Sequence, residues 1–443
     1  MPSEARAVAF SVVRRVFADG AYADRALPAE ADRAGLDARD RALATRLAYG
    51  TVQRKGTLDH LLARLAERPV ARLDPPVLAA ARLGLYQLLY LDGVPDRAAV
   101  AESVDLAKGA AGRGAAGLVN AVLRRAARDG RDALLGPLHD RDPAGAALLH
   151  SVPLWLAEQW WSELGPETAR ALLAAANEPA EHALRANTLV SDRDAVAAAL
   201  GVPSRTDPVV PEALVLEGPF DLRGSALWDE GAVWPQSRAA MAVARVVAPQ
   251  TGERVLDLCA APGGKATHLA ALSGDGAEIV AVEQHPGRAD ALRATCARLH
   301  ARGVRVEVAD AAVARADGPF ERVLVDPPCS GLGTLAAHPD LRWRMTPAAI
   351  GELAALQGRM LAAAAAVTAP GGTLVYATCT ISARENEEVA AALGEYAGDV
   401  QPDDLGNVHP RLASRRDPRF LQLLPERDRT TGFFCARFRR LEW

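Results

Sequence analysis

Three short stretches hold residue types whose spacing could do chemistry. RVLDLCAAPGGK at Arg254–Lys265 runs an apolar segment into small residues, a proline and two glycines, and ends on a lysine. DPPCSG at Asp326–Gly331 and TCT at Thr378–Thr380 each contain a cysteine, and each stretch directly follows an apolar segment. A thiolate at such a position is a potential nucleophile. In the first stretch, a strand, a tight glycine turn and a helix would expose amide N–H groups at the helix N-terminus. The turn is not GxGxxG, which disfavours a dinucleotide pyrophosphate. A cofactor with a carboxylate and a nucleoside but no phosphate suits it better, and S-adenosylmethionine is such a cofactor. An ordinary glycine turn has the same spacing.

The elements around these stretches decide between the two. From Arg254 onward, apolar runs at Val255–Cys259, Glu278–Glu283, Val304–Val308, Arg322–Asp326 and Gly372–Thr378 read as strands. Helical patterns at Thr267–Leu272, Arg288–Ala301 and Ala348–Val367 fall between them. Such βα alternation argues a parallel sheet with helices on both faces, and ligands in these sheets sit at the carboxyl ends of the strands. Asp257 and Cys259, Glu283, Asp310, Asp326 and Cys379 all fall at those ends. Glu283 is placed for ribose hydroxyls and Asp310 for an adenine amino group. Each alone reads as a cap or turn residue, but together they point to a site.

The 443 residues suffice for two or three domains. With 49% hydrophobic and 24% charged residues the chain is globular. Charged residues interrupt the apolar stretches before about 18 residues, which argues against a membrane span. The N-terminus has arginines within its apolar pattern and no signal-peptide core. The five cysteines are too scattered for a zinc site or a disulfide framework, so a reducing cytoplasm fits and no metal is expected. The net charge of -4 gives no global sign of nucleic-acid binding, yet Met1–Asp140 sums to about +4 and the remainder to about -8.

Apolar positions at helical spacing recur in Ala5–Phe17, Arg41–Gly50, Thr57–Leu65, Pro76–Leu91, Ala98–Ala107 and Gly117–Ala127. They predict an all-helical domain of six helices over residues 1–140. Its arginine clusters (Arg14–Arg15, Arg54–Lys55, and Arg124, Arg125, Arg128 and Arg131) suit either RNA phosphates or plain solvated faces. Residues 145–235 read as a small α+β domain. It opens on an amphipathic helix whose Trp155, Trp160 and Trp161 suit a core, followed by strands near Leu184–Val190 and Leu214–Leu216 and a helix at Asp192–Leu200. Residues 236–443 form the α/β, Rossmann-like domain.

With DLCAAPGGK, DPPCSG and TCT in place, the chain resembles the Sun/Nop family of RNA cytosine-5 methyltransferases. LRANTLV, GAVWPQSRA, HPDLRW, PGGTLVYATCT, ENEE and GFF extend the likeness. The helical domain resembles the NusB-like RNA-binding domain of the bacterial small-subunit rRNA enzymes, through DRALATRLAYGTVQR, RLGLYQLLYLDGVP and LVNAVLRR. The resemblance implies a multidomain protein: an all-α NusB-like domain, a small α+β linker domain and a class I methyltransferase domain. It implies S-adenosylmethionine as cofactor and RNA as partner, namely 16S rRNA outside the assembled ribosome, with no membrane and no metal. The subfamily most alike modifies cytosine 967. The resemblance assigns Cys379 as nucleophile and Cys329 as the cysteine of product release. Cys259, Ala260, Ala261, Pro262, Gly263, Gly264 and Lys265 correspond to the cofactor loop, with Glu283, Asp310 and Asp326 as further contacts. Glu283 stands where aspartate is commoner, Thr431 where an aspartate often precedes GFF, and Ala336–Ala337 where basic residues often precede HPD.

The chemistry is coherent without the family. Carbon 5 of cytosine is a poor nucleophile until a thiolate adds at carbon 6. Asp326 could stabilise that adduct through ring nitrogen 3 or the exocyclic amine, and Cys329 could serve the later loss of the carbon 5 proton. The nucleophile should lie in an electropositive or amide-rich turn. Cys296 and Cys435 read as packing residues. An amino-group methyltransferase would need an aromatic where Cys329 stands. A DNA cytosine methyltransferase would need no TCT cysteine. A non-catalytic NusB-like RNA-binding factor would not need Lys265, Asp326, Cys329 and Cys379 intact.

Overall fold

Apolar side chains at three- and four-residue spacing build the first half of the molecule. The computed structural model describes residues 2–313 and 317–442. They fall into two compact units, one of Met1–Glu178 with Leu335–Arg344 and the other of Pro179–Thr334 with Met345–Trp443. In the first unit, helix Glu4–Ala18 buries Val8, Val12, Val13 and Val16, the face expected from their spacing. Helices Ala38–Gln53, Lys55–Leu65 and Pro75–Tyr90 join it around one core. The two segments expected at Ala98–Ala107 and Gly117–Ala127 lie in one element, Asp96–Asp129, broken at Gly112 (φ 82°). Helix Ala23–Arg33 was not expected. It contains Pro28 and buries little beyond alanine, so its periodicity is faint. Helices Pro143–His150, Leu154–Leu164 and Pro166–Ala175 complete the unit, with Trp160 fully buried.

The same unit holds Leu335–Arg344 of the HPDLRW stretch. Arg342 is wholly buried and donates to the carbonyls of Ser151 (3.1 Å) and Ala176 (2.9 Å) and to Asn177 Oδ1 (3.0 Å). Trp343 Nε1 donates to the Val52 carbonyl at 2.7 Å. A planar guanidinium reaches several leftover helix-end carbonyls at once from a wide, fixed fork of donors, where an ammonium offers three donors at a single point.

In the second unit a small antiparallel sheet is ordered β2–β3–β1–β4: β1 (Ala183–Ala186), β2 (Ser204–Thr206), β3 (Ala213–Leu216) and β4 (Val233–Pro235). Leu184, Leu214 and Val233 pack with Val196 and Leu200 from helix Arg193–Ala199 and the residue after it.

The large sheet contains β5 (Arg254–Leu258), β6 (Glu278–Glu283), β7 (Val304–Val308), β8 (Phe320–Val325), β9 (Thr368–Thr378), β10 (Val400–Pro402), β11 (Leu421–Leu423) and β12 (Phe433–Arg440). Its order is β10–β12–β9–β8–β5–β6–β7, with β11 also beside β12. β9, β8, β5, β6 and β7 are mutually parallel, as the βα alternation predicts, and β10–β12 add an antiparallel edge. Connections from β5 run outward through β6 to β7 and then return to β8 on its other side. The carboxyl ends of β5 and β8 therefore flank the switch point where such sheets bind ligands. Cys296 and Cys435 are buried among core side chains.

Helix Pro347–Val367 corrects the membrane argument. By length and composition it is apolar enough to cross a bilayer, since only Glu352 and Arg359 interrupt it. Met360, Leu361, Ala364 and Val367 instead pack in the core with Val323, Val325 and Leu374 of β8 and β9.

Two predictions follow from this burial. Replacing Arg342 by alanine leaves the Ser151 carbonyl without its donor, the Ala176 carbonyl with Gln53 Nε2 alone, and a cavity in place of a wholly buried side chain, so it should destabilise the protein by about 3 kcal/mol. Urea denaturation of the full chain measures this. His268, buried on helix Gly264–Leu272, sets Nε2 2.6 Å from Glu212 Oε1, while Nδ1 has no partner among the described residues. A neutral ring with its proton on Nε2 fits both facts. Burial first, and then the Arg185 charge, lower its pKa to about 4. Between pH 6.5 and about 4 the unfolded chain therefore takes up a proton that the folded ring refuses, so stability falls on acidification by about 3 kcal/mol. His268→Gln should flatten that slope.

Candidate active site

The site begins where β5 ends. Cys259 takes a left-handed conformation (φ 65°) and Gly263 a φ of 109°, which turn the chain into helix Gly264–Leu272. A Cβ at Gly263 would also approach Leu292 Cδ1 to 2.8 Å, so the position needs glycine on two counts. Ala260 N donates to the Val282 carbonyl at 2.9 Å and Gly263 N to the Ala260 carbonyl at 2.8 Å, tying the loop to β6 and to itself. Pro262 is exposed and Ala261 half-buried along the same loop.

Lys265, in the first turn of the helix, reaches Asp326 Oδ2 at 2.5 Å and lies 5.1 Å from the Phe433 ring centre. Burial alone would lower its pKa, but the adjacent Asp326 outweighs this and holds the ammonium above the ordinary lysine range. Asp257 lies one residue inside the end of β5, not at it, and is buried. Neither of its carboxyl oxygens has a partner among the described residues. Burial, with the Asp326 charge adding to it, pushes its pKa up to about 8, so it is mostly a neutral acid at pH 7. Cys259 is pushed up to about 12 by burial and the carboxylates around it, which makes it an inert thiol.

Glu283, the last residue of β6, is buried and accepts from His285 N at 2.9 Å. Arg288 lies 3.3 Å from its other oxygen and also donates to the Ala261 carbonyl at 3.1 Å, joining the ends of β5 and β6. Asp310 is two residues past β7, exposed, and accepts from Ala312 N at 2.9 Å within its own turn. The structure thus brings Cys259–Lys265, Glu283 and Asp326 to one crevice and leaves Asp310 capping a turn at the β7 end.

Cys329 and Cys379, 50 residues apart, meet with their sulfurs 3.3 Å apart. They follow the adjacent parallel strands β8 and β9, which is why their loops converge. The contact with Cys379, and burial after it, raise the Cys329 thiol well above its ordinary range, so Cys329 stays a thiol beside the Cys379 sulfur. Cys379 lies within electrostatic reach of the Lys265 ammonium, and its carbonyl accepts from Gly333 N at 3.0 Å. The electropositive neighbour expected of a nucleophile is present in Lys265.

One residue with a central position was not singled out as a site residue from the sequence. Glu385 is completely buried and binds both cysteine loops. Its Oε1 accepts from Ser330 N (2.8 Å) and Gln357 Nε2 (3.1 Å), and its Oε2 from Ser330 Oγ (2.5 Å) and Thr380 Oγ1 (3.3 Å). Asn386 next to it joins Thr378 Oγ1 (2.6 Å) to the Thr380 carbonyl (3.1 Å). The signal was available: an acidic run, ENEE, that begins six residues after a cysteine.

These residues fit a cofactor with a nucleoside and a charged amino-acid part. The acid at the β6 end can meet hydroxyls, the small-residue loop can approach a ligand closely, and the partnerless Asp257 carboxyl lies next to that loop. A family model of 16S rRNA methyltransferase RsmB/F matches residues 244–439. A NusB family model matches residues 3–128, and the ferredoxin-like domain of the RsmF/B-like methyltransferases matches residues 152–223. The probable ribosomal RNA small subunit methyltransferase B of Synechocystis sp. is 36% identical over 98% of this chain and 99% of its own. Ribosomal RNA small subunit methyltransferase B of Pseudomonas putida is 35% identical over 98% of this chain and 97% of its own. The crystal structure of PH0851 superposes with a TM-score of 0.84 at 25% identity, over 99% of each chain. The chain belongs to the RsmB/F family of rRNA methyltransferases, with S-adenosylmethionine as its methyl donor.

Proposed function

We propose that this protein methylates carbon 5 of a cytosine in 16S rRNA through a covalent adduct between Cys379 and carbon 6 of the base. The observation that carries the reading is the pair of sulfurs 3.3 Å apart at the switch-point side of the sheet, with the Lys265 ammonium within electrostatic reach of Cys379. Relatives named as small-subunit rRNA methyltransferases support the 16S substrate. The free rRNA, before assembly, is the form in which a single cytosine can be splayed into a crevice. The cytoplasm is where that RNA is found.

S-adenosylmethionine, when bound, supplies an electrophilic methyl group. Cys259–Lys265 and Glu283 would hold it, and Asp310 would reach it only by giving up its bond to Ala312 N. Cys379, as thiolate, adds to carbon 6, and the electrons displaced from the 5,6 double bond make carbon 5 nucleophilic. Asp326, its rotamer fixed by Lys265, stabilises the adduct at ring nitrogen 3 or the exocyclic amine. After transfer, the carbon 5 proton passes to Cys329 as Cys329 gives its own proton to the departing Cys379 sulfur. The carbon 5–hydrogen electrons restore the double bond, and the carbon 6–sulfur electrons return to Cys379. All of these steps are side-chain nucleophilic and acid–base chemistry, and the reading assigns no metal.

Opposite failures of the two cysteines test the assignment. Cys379→Ala should neither methylate RNA nor cross-link to it. Cys329→Ala should accumulate a cofactor-dependent protein–RNA adduct that survives denaturing electrophoresis. If Cys329→Ala is the variant unable to cross-link, the roles are reversed. Glu385 should act through the geometry of this pair. Glu385→Gln puts an amide donor among existing donors, and should lower kcat by about 100-fold while leaving cofactor affinity within about twofold. Single-turnover methylation and calorimetry measure the two quantities.

A further inference from the structure

The cofactor loop is held from behind by a side chain of the small sheet. Arg185 of β1 is wholly buried, and its guanidinium reaches the first turn of helix Gly264–Leu272. Nη1 donates to the Gly264 carbonyl and to Gln236 Oε1 at 2.9 Å, and Nη2 donates to Thr267 Oγ1 at 2.8 Å. The Thr267 hydroxyl donates in turn to the Gly263 carbonyl at 2.7 Å. The carbonyls of both loop glycines are thus bound to one guanidinium, one directly and the other through a hydroxyl. Trp234 of β4 closes the same side, since a Cβ on Gly264 would lie 3.0 Å from its Nε1.

A guanidinium is an expensive filler for this position. Arg185 makes no ion pair among the described residues, and burial lowers its pKa to about 9. An apolar side chain of similar volume would pack at less cost but would bond neither the Gly264 carbonyl nor the Thr267 hydroxyl, leaving the two glycine carbonyls to the helix's own backbone bonds and to an unbraced Thr267. The peptide planes of Gly263 and Gly264 set where the loop's amides point and where Lys265 leaves the backbone. Lys265 then meets Asp326 on the far side of the crevice.

We infer that Arg185, acting through Thr267, is a positioning residue for cofactor binding: it fixes the Gly263–Gly264 peptides so that the loop is formed before the cofactor arrives. Pre-forming the loop removes an ordering cost from binding, so the gain appears in affinity. The inference rests on reading Cys259–Lys265 as the cofactor loop.

The test titrates S-adenosylhomocysteine into the full-length protein by calorimetry. Thr267→Val, which keeps the shape and loses the hydroxyl, and Arg185→Lys, which keeps the charge and loses the fork, should each weaken binding by about tenfold. The double variant should lose little more than either single one, because both act on one chain of bonds. Thr267→Ser keeps the hydroxyl and should bind within about twofold of the unaltered protein, and the KM for RNA at saturating cofactor should stay within about twofold in every variant. Unchanged affinity in Thr267→Val, equal weakening in Thr267→Ser, or fully additive losses would overturn the brace. Should Arg185→Lys not fold, the threonine pair decides alone. Glu283→Ala separates this inference from the reading beneath it. If Glu283→Ala also leaves affinity unchanged, the cofactor site itself is misplaced, whereas if only Glu283→Ala weakens binding, the brace alone fails.

Discussion

The buried Glu385 carboxylate is the constraint on which the cysteine pair depends. Strand pairing brings the ends of β8 and β9 side by side, but adjacency of two backbones does not determine the separation of two sulfurs in the loops beyond them. Glu385 does so by collecting an amide and a hydroxyl from the Cys329 loop and a hydroxyl from the Cys379 loop. A charge with no exposure persists only when donors surround it, and here the donors are the parts that have to be aligned. Tyr376 OH, donating to the Glu385 carbonyl at 2.5 Å, holds the backbone of the same residue against β9.

From that junction the electrostatics of the crevice follow. The Glu385 and Asp326 charges add to the Cys379 contact and the burial that keep Cys329 a thiol. Lys265 offsets them near Cys379 while it neutralises Asp326. The two sulfurs, 3.3 Å apart, thus stand in unlike surroundings, with carboxylates acting on Cys329 and the ammonium within reach of Cys379. Cys259, only a strand away, is excluded from the same role by burial among carboxylates.

How much of this was legible in the sequence depends on the range of the forces involved. The β6 and β7 limits were read to the residue, β6 because a buried parallel strand is a continuous apolar run between breakers, and β7 because its valines alternate with charged residues. The convergence of Cys259, Glu283, Asp326 and Cys379 followed from the rule that ligands gather at carboxyl strand ends. The antiparallel edge β10–β12 was missed as an edge: its partners are far apart in sequence and two of its strands have three residues. Helix Ala23–Arg33 was hidden by alanine, which has no strong period. Asp310 was placed at the right strand end, yet its side chain caps a turn, a choice made by local backbone geometry and not by residue type.

Two further side chains that escaped the sequence reading share a physical trait. Arg185 and Arg342 are both wholly buried, and both spend donors on backbone carbonyls and neutral side-chain oxygens, with no carboxylate in ion-pair distance among the described residues. Each sits in a stretch, LRANTLV or HPDLRW, that marks the family but carries no chemistry of its own. Helix ends and tight turns leave carbonyls that regular hydrogen bonding cannot reach, and water cannot reach them once they are buried. A guanidinium presents five N–H donors in a fixed plane, so one side chain can serve two or three such carbonyls together. Arg342 is therefore a requirement of irregular backbone, whereas Arg185 braces the first turn of a regular helix. The arginines on exposed helix faces are under no such constraint, and for that reason composition alone could not tell the two kinds apart.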